Sequence, residues 1–168
     1  MNERIYEKEL IFYSTLYKLL GVIELTLRHR IPNTLSVIAR KRGFIYWFEV
    51  IPESSSRGKV MRNLKQEVEE GLFDPNFFIP LSFWRYLFSK DSYTTLWLPA
   101  LYKIFPNFRN PLSRESFQEI SDALHRVNLV RNRVAHYDFK NCQNFEIEAA
   151  LLLWVIAMLG AQDYLIEA

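Results

Sequence analysis

The chain contains little glycine and a single cysteine. Each of these scarcities argues against particular folds or binding sites. Only 5 of its 168 residues are glycine, which argues against a turn-rich all-β architecture and against a glycine-rich phosphate-binding loop. The single Cys142 excludes an intrachain disulfide and a cysteine-based zinc site. A lone thiol also fits a reducing compartment.

The chain also lacks a long apolar run and a secretory signal pattern. Its longest uncharged apolar run, Ala149–Ala161, is too short to span a bilayer. The first ten residues mix charges and do not follow the basic-then-apolar order of a signal peptide. We therefore expect a cytoplasmic protein without membrane contact.

What the chain does contain is typical of a globular helical protein. Hydrophobic residues make up 49% and charged residues 24% of the chain, which excludes a disordered polyampholyte. The length suits one domain with a sizeable core. With several segments of helical periodicity, this predicts a single all-α domain over residues 1–168.

Basic residues are concentrated between Thr26 and Lys65. This segment contains nine Lys and Arg residues and two Glu residues, so its formal charge is +7. Because the whole chain carries +2, the remaining residues together carry −5. Such a segment can be a footprint for a polyanion, or it can be ordinary solvated surface. The RNA-contact candidates within it are Arg30, Arg40, Lys41 and Arg42.

The first predicted helix is Leu10–Ile31, where apolar residues recur at three- and four-residue steps. Pro32 is expected to stop it. Asn33 or Thr34 then caps a short helix through Ala39.

Glu24 and Arg28 interrupt the apolar face of this first helix. They are four residues apart, in the order that favours a helical ion pair. A charged pair on a mostly apolar face is either a buried brace or part of a polar pocket.

The middle of the chain predicts short and aromatic elements. Phe44–Ile51 is either a short strand or an irregular aromatic loop. Arg57–Glu70 is a surface helix that ends at Gly71. A further helix is capped near Ser82, and Tyr93–Phe105 is another aromatic segment.

Two longer helices complete the bundle. Ser113 begins one of them in a Ser-x-x-Ser pattern, and this helix ends near residues 135–137. The last helix is predicted for Asn144–Leu165. Because it is apolar nearly all round between residues 149 and 159, we expect it to be the central helix.

Chemically useful groups are concentrated at the end of the Ser113 helix. Arg131, Asn132, Arg133 and His136 lie within six residues. Arg131 and His136 are five apart, about 140° around an ideal helix. They can therefore converge only if the helix ends near Ala135.

Such a pair suits a phosphate ester. Arginine offers a bidentate fork to phosphate oxygens, and histidine moves protons near neutral pH. RNA supplies its own nucleophile, the 2′-hydroxyl, so no metal is required. Spacing alone leaves three readings open, namely helix capping and bracing, polyanion binding, and catalysis.

Three blocks of the chain resemble the HEPN superfamily. Arg131–His136 resembles its Arg-x4–6-His motif, and Ile23–Ile31 resembles the early Glu-x-x-x-Arg helix of its Abi-like (abortive infection) branch. The segments Leu81–Phe88, Leu96-Trp97 and Ile104–Pro106 resemble the central block of that branch. The resemblance extends from about residue 19 to residue 137.

The resemblance implies a HEPN-like helical bundle that forms a homodimer, with two Arg-His motifs beside a shared cleft. HEPN ribonucleases of this kind cut RNA without metal or cofactor, typically in toxin–antitoxin or phage-defence settings. RNA, a second copy and a cognate antitoxin are then the expected partners. Since some members only bind, a non-catalytic RNA-binding or protein-interaction module is the alternative.

The resemblance also implies a role for each residue. Arg131 binds and polarises the scissile phosphate, and His136 is the general acid or base. Asn132 orients the motif, with Arg133 as a further supporting residue. The Glu24–Arg28 pair lines or braces the cleft.

One stretch departs from the pattern of the branch. Its members often follow the histidine with a further histidine, an acidic residue and proline, whereas this chain has Tyr137-Asp138-Phe139. We expect that loop to influence which RNA is chosen.

Overall fold

A computed structural model describes residues 3–51, 65–72, 79–110, 113–136 and 144–165, and these ranges contain helices and turns without a β-strand. The α-helices are α1 (Glu3–Lys41), α2 (residues 65–69), α3 (Leu81–Leu87), α4 (Leu101–Ile104), α5 (Arg114–Ala135) and α6 (Phe145–Leu159). Short 3-10 helices cover Trp47–Val50, Lys90–Ser92 and Gln162–Leu165, and a π-helical turn covers Tyr93–Trp97. The predicted all-α class is confirmed.

The core is organised around α1. One side of this helix carries side chains that are 0% exposed, spaced by four or seven residues as one helical stripe requires: Leu16, Ile23, Leu27, Ile31 and Leu35. The helices α4, α5 and α6 and the aromatic Trp47–Val50 turn pack against α1. One continuous hydrophobic cluster results, extending from Tyr13 to Ala161.

The predicted stop at Pro32 is wrong, because α1 continues through it to Lys41. A proline inside a helix removes one backbone hydrogen bond and costs about 3 kcal/mol in an exposed helix. Here Pro32 is itself buried, between fully buried Ile31 and Leu35, so core packing on both sides offsets that cost. Thr34, a predicted cap, is a buried residue inside the helix.

The helix α1 ends at Lys41, two residues beyond the predicted Ala39. Gly43 follows with a φ of +79°, the left-handed conformation in which glycine meets no steric penalty. Of the two structures predicted for Phe44–Ile51, a short strand and an irregular aromatic loop, the strand is wrong. The segment contains a short 3-10 helix instead. Trp47 and Phe48 are buried, and Trp47 lies 5.5 Å from Trp84 of α3 between ring centroids.

Aromatic packing also fixes the region between α3 and α4. Phe88 stacks on Trp97 with ring centroids 4.5 Å apart, and the Trp97 Nε1–H donates to the Leu87 carbonyl at 2.6 Å. The cap predicted near Ser82 is wrong, since Pro80 holds the N-cap position without a side-chain hydrogen bond. Proline tolerates that position because it needs no donor there.

The start of α5 confirms the serine pattern. The Ser116 backbone N–H donates to Ser113 Oγ at 3.0 Å, which satisfies one of the donors left free at a helix start. The other end is also as predicted, since α5 ends at Ala135.

The last helix differs from the prediction in length and position. It ends at Leu159 rather than Leu165, because Gly160 adopts a left-handed φ of +59°. The helix packs on α1, but Ile147 and Leu153 are 54% and 45% exposed. The central position therefore belongs to α1.

By length and mean hydropathy alone, the Glu7–Lys41 part of α1 could cross a membrane. Its most apolar stripe is buried against other helices, as in the core helix of a bundle. The start of the predicted Arg57–Glu70 helix, the loop after His136 and Cys142 lie outside the described residues.

The carboxylate of Glu49 ties the aromatic turn to α2. It accepts hydrogen bonds from the Tyr46 and Ile45 backbone N–H groups at 2.8 and 3.0 Å and from Lys65 Nζ at 2.8 Å. Partial burial raises the pKa of Glu49, but these hydrogen bonds and the Lys65 charge outweigh it and hold the pKa below 4.5. The ionised carboxylate therefore stabilises the fold above that pH, and the contribution is lost as the pH falls through the lowered pKa.

We expect Glu49→Gln to lower the free energy of unfolding at neutral pH by about 1 kcal/mol, since a charged acceptor of backbone donors is lost. Urea unfolding at several pH values measures this. The difference from the parent chain should shrink as the pH falls below 4.5. Exposed Glu67→Gln is the matched control, and a pH-independent difference at Glu49 would contradict the account.

Candidate functional site

A cleft of about 940 Å³ lies between the first half of α1 and the end of α5. Its walls combine apolar, polar and charged side chains. The residues that line it are Leu10, Tyr13, Ser14, Tyr17, Lys18, Leu20, Gly21, Glu24, Leu25, Arg28, Arg131, Val134 and Ala135. This volume is at the upper end of small-ligand sites, about 300–1,000 Å³.

Three of the predicted site residues meet in this cleft. Arg28 Nη2 lies 2.8 Å from Glu24 Oε1, and both side chains are about a quarter exposed, at 27% and 23%. The pair is therefore a brace within α1 and also part of a polar wall. Arg131 reaches the same cleft from α5.

Arg131 differs from Arg28 in having no ion-pair or hydrogen-bond partner among the described residues. Its side chain is half-buried, in the last two turns of α5. A guanidinium in such a position keeps its donors for a ligand, and carboxylate and phosphate oxygens match its planar fork.

His136 ends α5 at the residue that the predicted convergence requires. Its backbone N–H donates to the Asn132 carbonyl at 3.1 Å, and its φ of −103° and ψ of 7° are outside the helical range. The side chain is exposed beside Ala135, which lines the cleft. His136 itself is not among the residues that line the cleft.

The other two members of the motif, Asn132 and Arg133, are not among the residues that line the cleft. Arg133 forms an ion pair with Glu148 of α6 and lines the groove between α5 and α6. This geometry makes Arg133 a brace between helices. Asn132 is exposed, and its backbone carbonyl is the acceptor for His136.

The basic residues of late α1 are not part of the cleft. Arg30 donates to the carbonyls of Ile104 and Leu159, which ties the ends of α4 and α6 to α1. Its placement favours bracing over the predicted RNA contact.

The basic end of α1 is distant from the cleft. Lys41 lies 17 residues beyond Glu24, about 25 Å along the helix axis. Arg42 donates to the Thr95 carbonyl at 2.7 Å, and Arg40 donates to Ser36 within its own helix. An RNA contact at Arg40, Lys41 and Arg42 would thus be a separate surface from the Arg131 cleft.

No protein-family model, no curated protein and no solved structure matches this chain. The resemblance to HEPN proteins therefore stays a prediction that rests on the three sequence blocks. Within the described part of the chain, no three His, Cys, Asp or Glu side chains are grouped as metal ligands. The described residues in and beside the cleft that could take part in chemistry are Arg28, Arg131, the carboxylate of Glu24 and the neighbouring His136.

The sequence reasoning missed Tyr17 and Lys18. Both line the cleft from α1. Tyr17 is seven residues before Glu24 and Lys18 is seven before Leu25, so helical spacing puts each of them two turns before another residue that lines the cleft. With Lys18 included, the described residues that line the cleft comprise three cations, Lys18, Arg28 and Arg131, and one acid, Glu24.

Substitutions of the two arginines of the motif should differ in their effect on the free energy of unfolding. We expect Arg133→Ala to lower the free energy of unfolding by about 1–3 kcal/mol, because Glu148, only 12% exposed, loses its cationic partner. Arg131→Ala should change it by less than about 0.5 kcal/mol. Chemical unfolding followed by far-ultraviolet circular dichroism measures both, and a larger loss for Arg131→Ala would contradict the assignment.

Proposed function

We propose that this protein is a metal-independent endoribonuclease in which Arg131 and His136 act on the scissile phosphate. The observation that carries the proposal is the position of Arg131, which lacks a partner among the described residues and lines a cationic cleft one turn from the histidine that ends α5. The resemblance to the HEPN Arg-x4–6-His motif supports the same chemistry.

The proposed reaction is transfer within the RNA strand. The 2′-oxygen attacks the adjacent phosphorus, the bond to the 5′-oxygen breaks, and a 2′,3′-cyclic phosphate forms. Arg131 donates to the non-bridging oxygens and stabilises the charge that develops on them. His136 takes the proton from the 2′-hydroxyl or gives one to the leaving 5′-oxygen.

Glu24 and Arg28 have a supporting role in this mechanism. Because Glu24 holds the Arg28 guanidinium at 2.8 Å, that cation is fixed in the wall of the cleft. A fixed cation contributes more to a developing charge than a mobile one, since no reorganisation is needed during the reaction. Arg131 remains the direct ligand of the phosphate.

The composite-cleft form of the mechanism requires a homodimer. Large apolar side chains on and beside the α1 wall of the cleft are strongly exposed, with Leu10 at 58%, Ile11 at 62% and Leu25 at 63%. Exposed apolar surface of this kind is typical of interaction sites. Two protomers that meet through this apolar surface, at the edges of the cleft, would enclose two Arg-His motifs.

A toxin or phage-defence role in the cytoplasm follows from the resemblance and belongs to the same proposal, with an antitoxin as an expected partner. The competing function is RNA binding without cleavage. His136 is exposed and is not among the residues that line the cleft, and this observation favours the alternative.

Cleavage is tested by incubating the purified chain with RNA in the presence of a chelator. We expect products that end in a 2′,3′-cyclic phosphate. Arg131→Ala should lower the cleavage rate by about 100- to 1,000-fold, the usual cost of losing one oxyanion donor. His136→Ala should lower it by about 100- to 10,000-fold.

The matched control is His125→Ala, which removes another exposed histidine of α5. It should cleave at the parental rate. Activity that disappears with chelator, or that survives in His136→Ala, would refute the mechanism. RNA binding by the parent chain without any cleavage would select the binding alternative.

Sedimentation of the purified chain tests the homodimer. We expect a dimer at micromolar concentration, and we expect Leu25→Glu to shift it towards monomer because the substitution puts a charge into apolar contact surface. Leu153→Glu, which alters another exposed leucine, in α6, is the control. A parent chain that sediments only as a monomer would rule out the composite cleft.

A further inference from the structure

Tyr17 has an unusual position in the cleft. Its side chain is 72% exposed, more than that of Tyr164 at 60% or Tyr102 at 48%. It nevertheless belongs to the cleft wall rather than to an isolated part of the surface. A ring in this setting offers a face to a ligand without disturbing the core.

The space beside the ring is open. Gly21 is one helical turn after Tyr17 and also lines the cleft. A Cβ atom built on Gly21 would meet no atom within 4 Å. A flat group can therefore approach α1 closely at this point.

Cations lie on the same wall and across from it. Lys18 is the neighbour of Tyr17 in the chain, Arg28 is held further along α1, and Arg131 enters from α5. An exposed aromatic ring beside a cationic groove is the combination with which proteins bind single-stranded nucleic acid, by stacking bases and neutralising phosphates.

We propose that Tyr17 is a stacking platform for one unpaired base of a single-stranded RNA, whose phosphates lie along Lys18 and Arg131. This inference rests on the proposed function and specifies its substrate class. Eleven residues separate Tyr17 from Arg28, about 16 Å along the helix axis. A base stacked on Tyr17 therefore sets the register of the strand along the α1 wall of the cleft.

Two other occupants fit the observations less well. A duplex keeps its bases stacked on one another, so their faces are not available to Tyr17. A second copy covering Tyr17 directly in a symmetric contact would bring the cleft's described charged residues, three cations and one acid, against the same set. A polyanion with exposed bases satisfies both the ring and the charges.

The test measures binding separately from cleavage, in a chain that also carries His136→Ala. The probe is a fluorescently labelled short oligouridylate, and its duplex with oligoadenylate is the comparison ligand. We expect Tyr17→Ala to raise the Kd for the single strand about 10-fold, within the range of roughly 5- to 150-fold that loss of one stacking contact causes. Tyr17→Phe and Tyr17→Trp should retain binding, because both keep a ring face.

Tyr164→Ala is the matched control, since Tyr164 is an exposed tyrosine outside the cleft. It should leave the Kd unchanged. Three results would overturn the inference, namely a parental Kd in Tyr17→Ala, an equal loss for the duplex, and a shift to monomer in Tyr17→Ala that accounts for the weaker binding. The last result would make a second copy the occupant.

The inference and the proposed function fail in distinguishable ways. If cleavage depends on His136 but Tyr17→Ala binds with the parental Kd, the proposed function is supported and the stacking role of Tyr17 is refuted. If binding depends on Tyr17 but the unmodified chain does not cleave RNA, the nuclease function is refuted and the stacking role of Tyr17 is supported. Absence of any RNA binding would overturn both.

Discussion

The buried stripe of α1 is the constraint on which the rest of the structure depends. Leu16, Ile23, Leu27 and Ile31 are fully buried in one row, and every other large element described packs against α1. Because this row continues on both sides of Pro32, the helix remains intact where local chemistry would end it. A helix of 39 residues then has one side for the core and another for a ligand.

The candidate site arises where that second side meets the end of α5. Ser113 fixes where α5 begins and the chain leaves the helix at His136, so the position of Arg131 relative to α1 is set by the length and packing of α5. Arg133, only two residues away, is directed to Glu148 of α6 instead. Within the same motif, the helical turn thus separates a structural arginine from one that has no partner among the residues that the structure describes.

The sequence predicted those features that depend on residues close to one another in the chain. The Ser113 cap, the end of α5 and the Glu24–Arg28 pair all involve residues at most four apart or a helix end. Long-range contacts were not readable. Continuation through Pro32 depends on burial by other helices, and the roles of Arg30 and Arg133 depend on carbonyls and a carboxylate from distant segments. Tyr17 could have been found by extending the Glu24–Arg28 face backwards along the helix, whereas Lys18 lies off that face, in line with Leu25.

The central claim is that Arg131 and His136 act on one phosphate, and a double-mutant cycle on single-turnover RNA cleavage tests it most directly. Two groups that serve the same transition state are strongly non-additive. We therefore predict that the Arg131→Ala, His136→Ala double variant cleaves no more slowly than the more damaged single variant. Rate losses that multiply independently, or no loss in either single variant, would contradict the account.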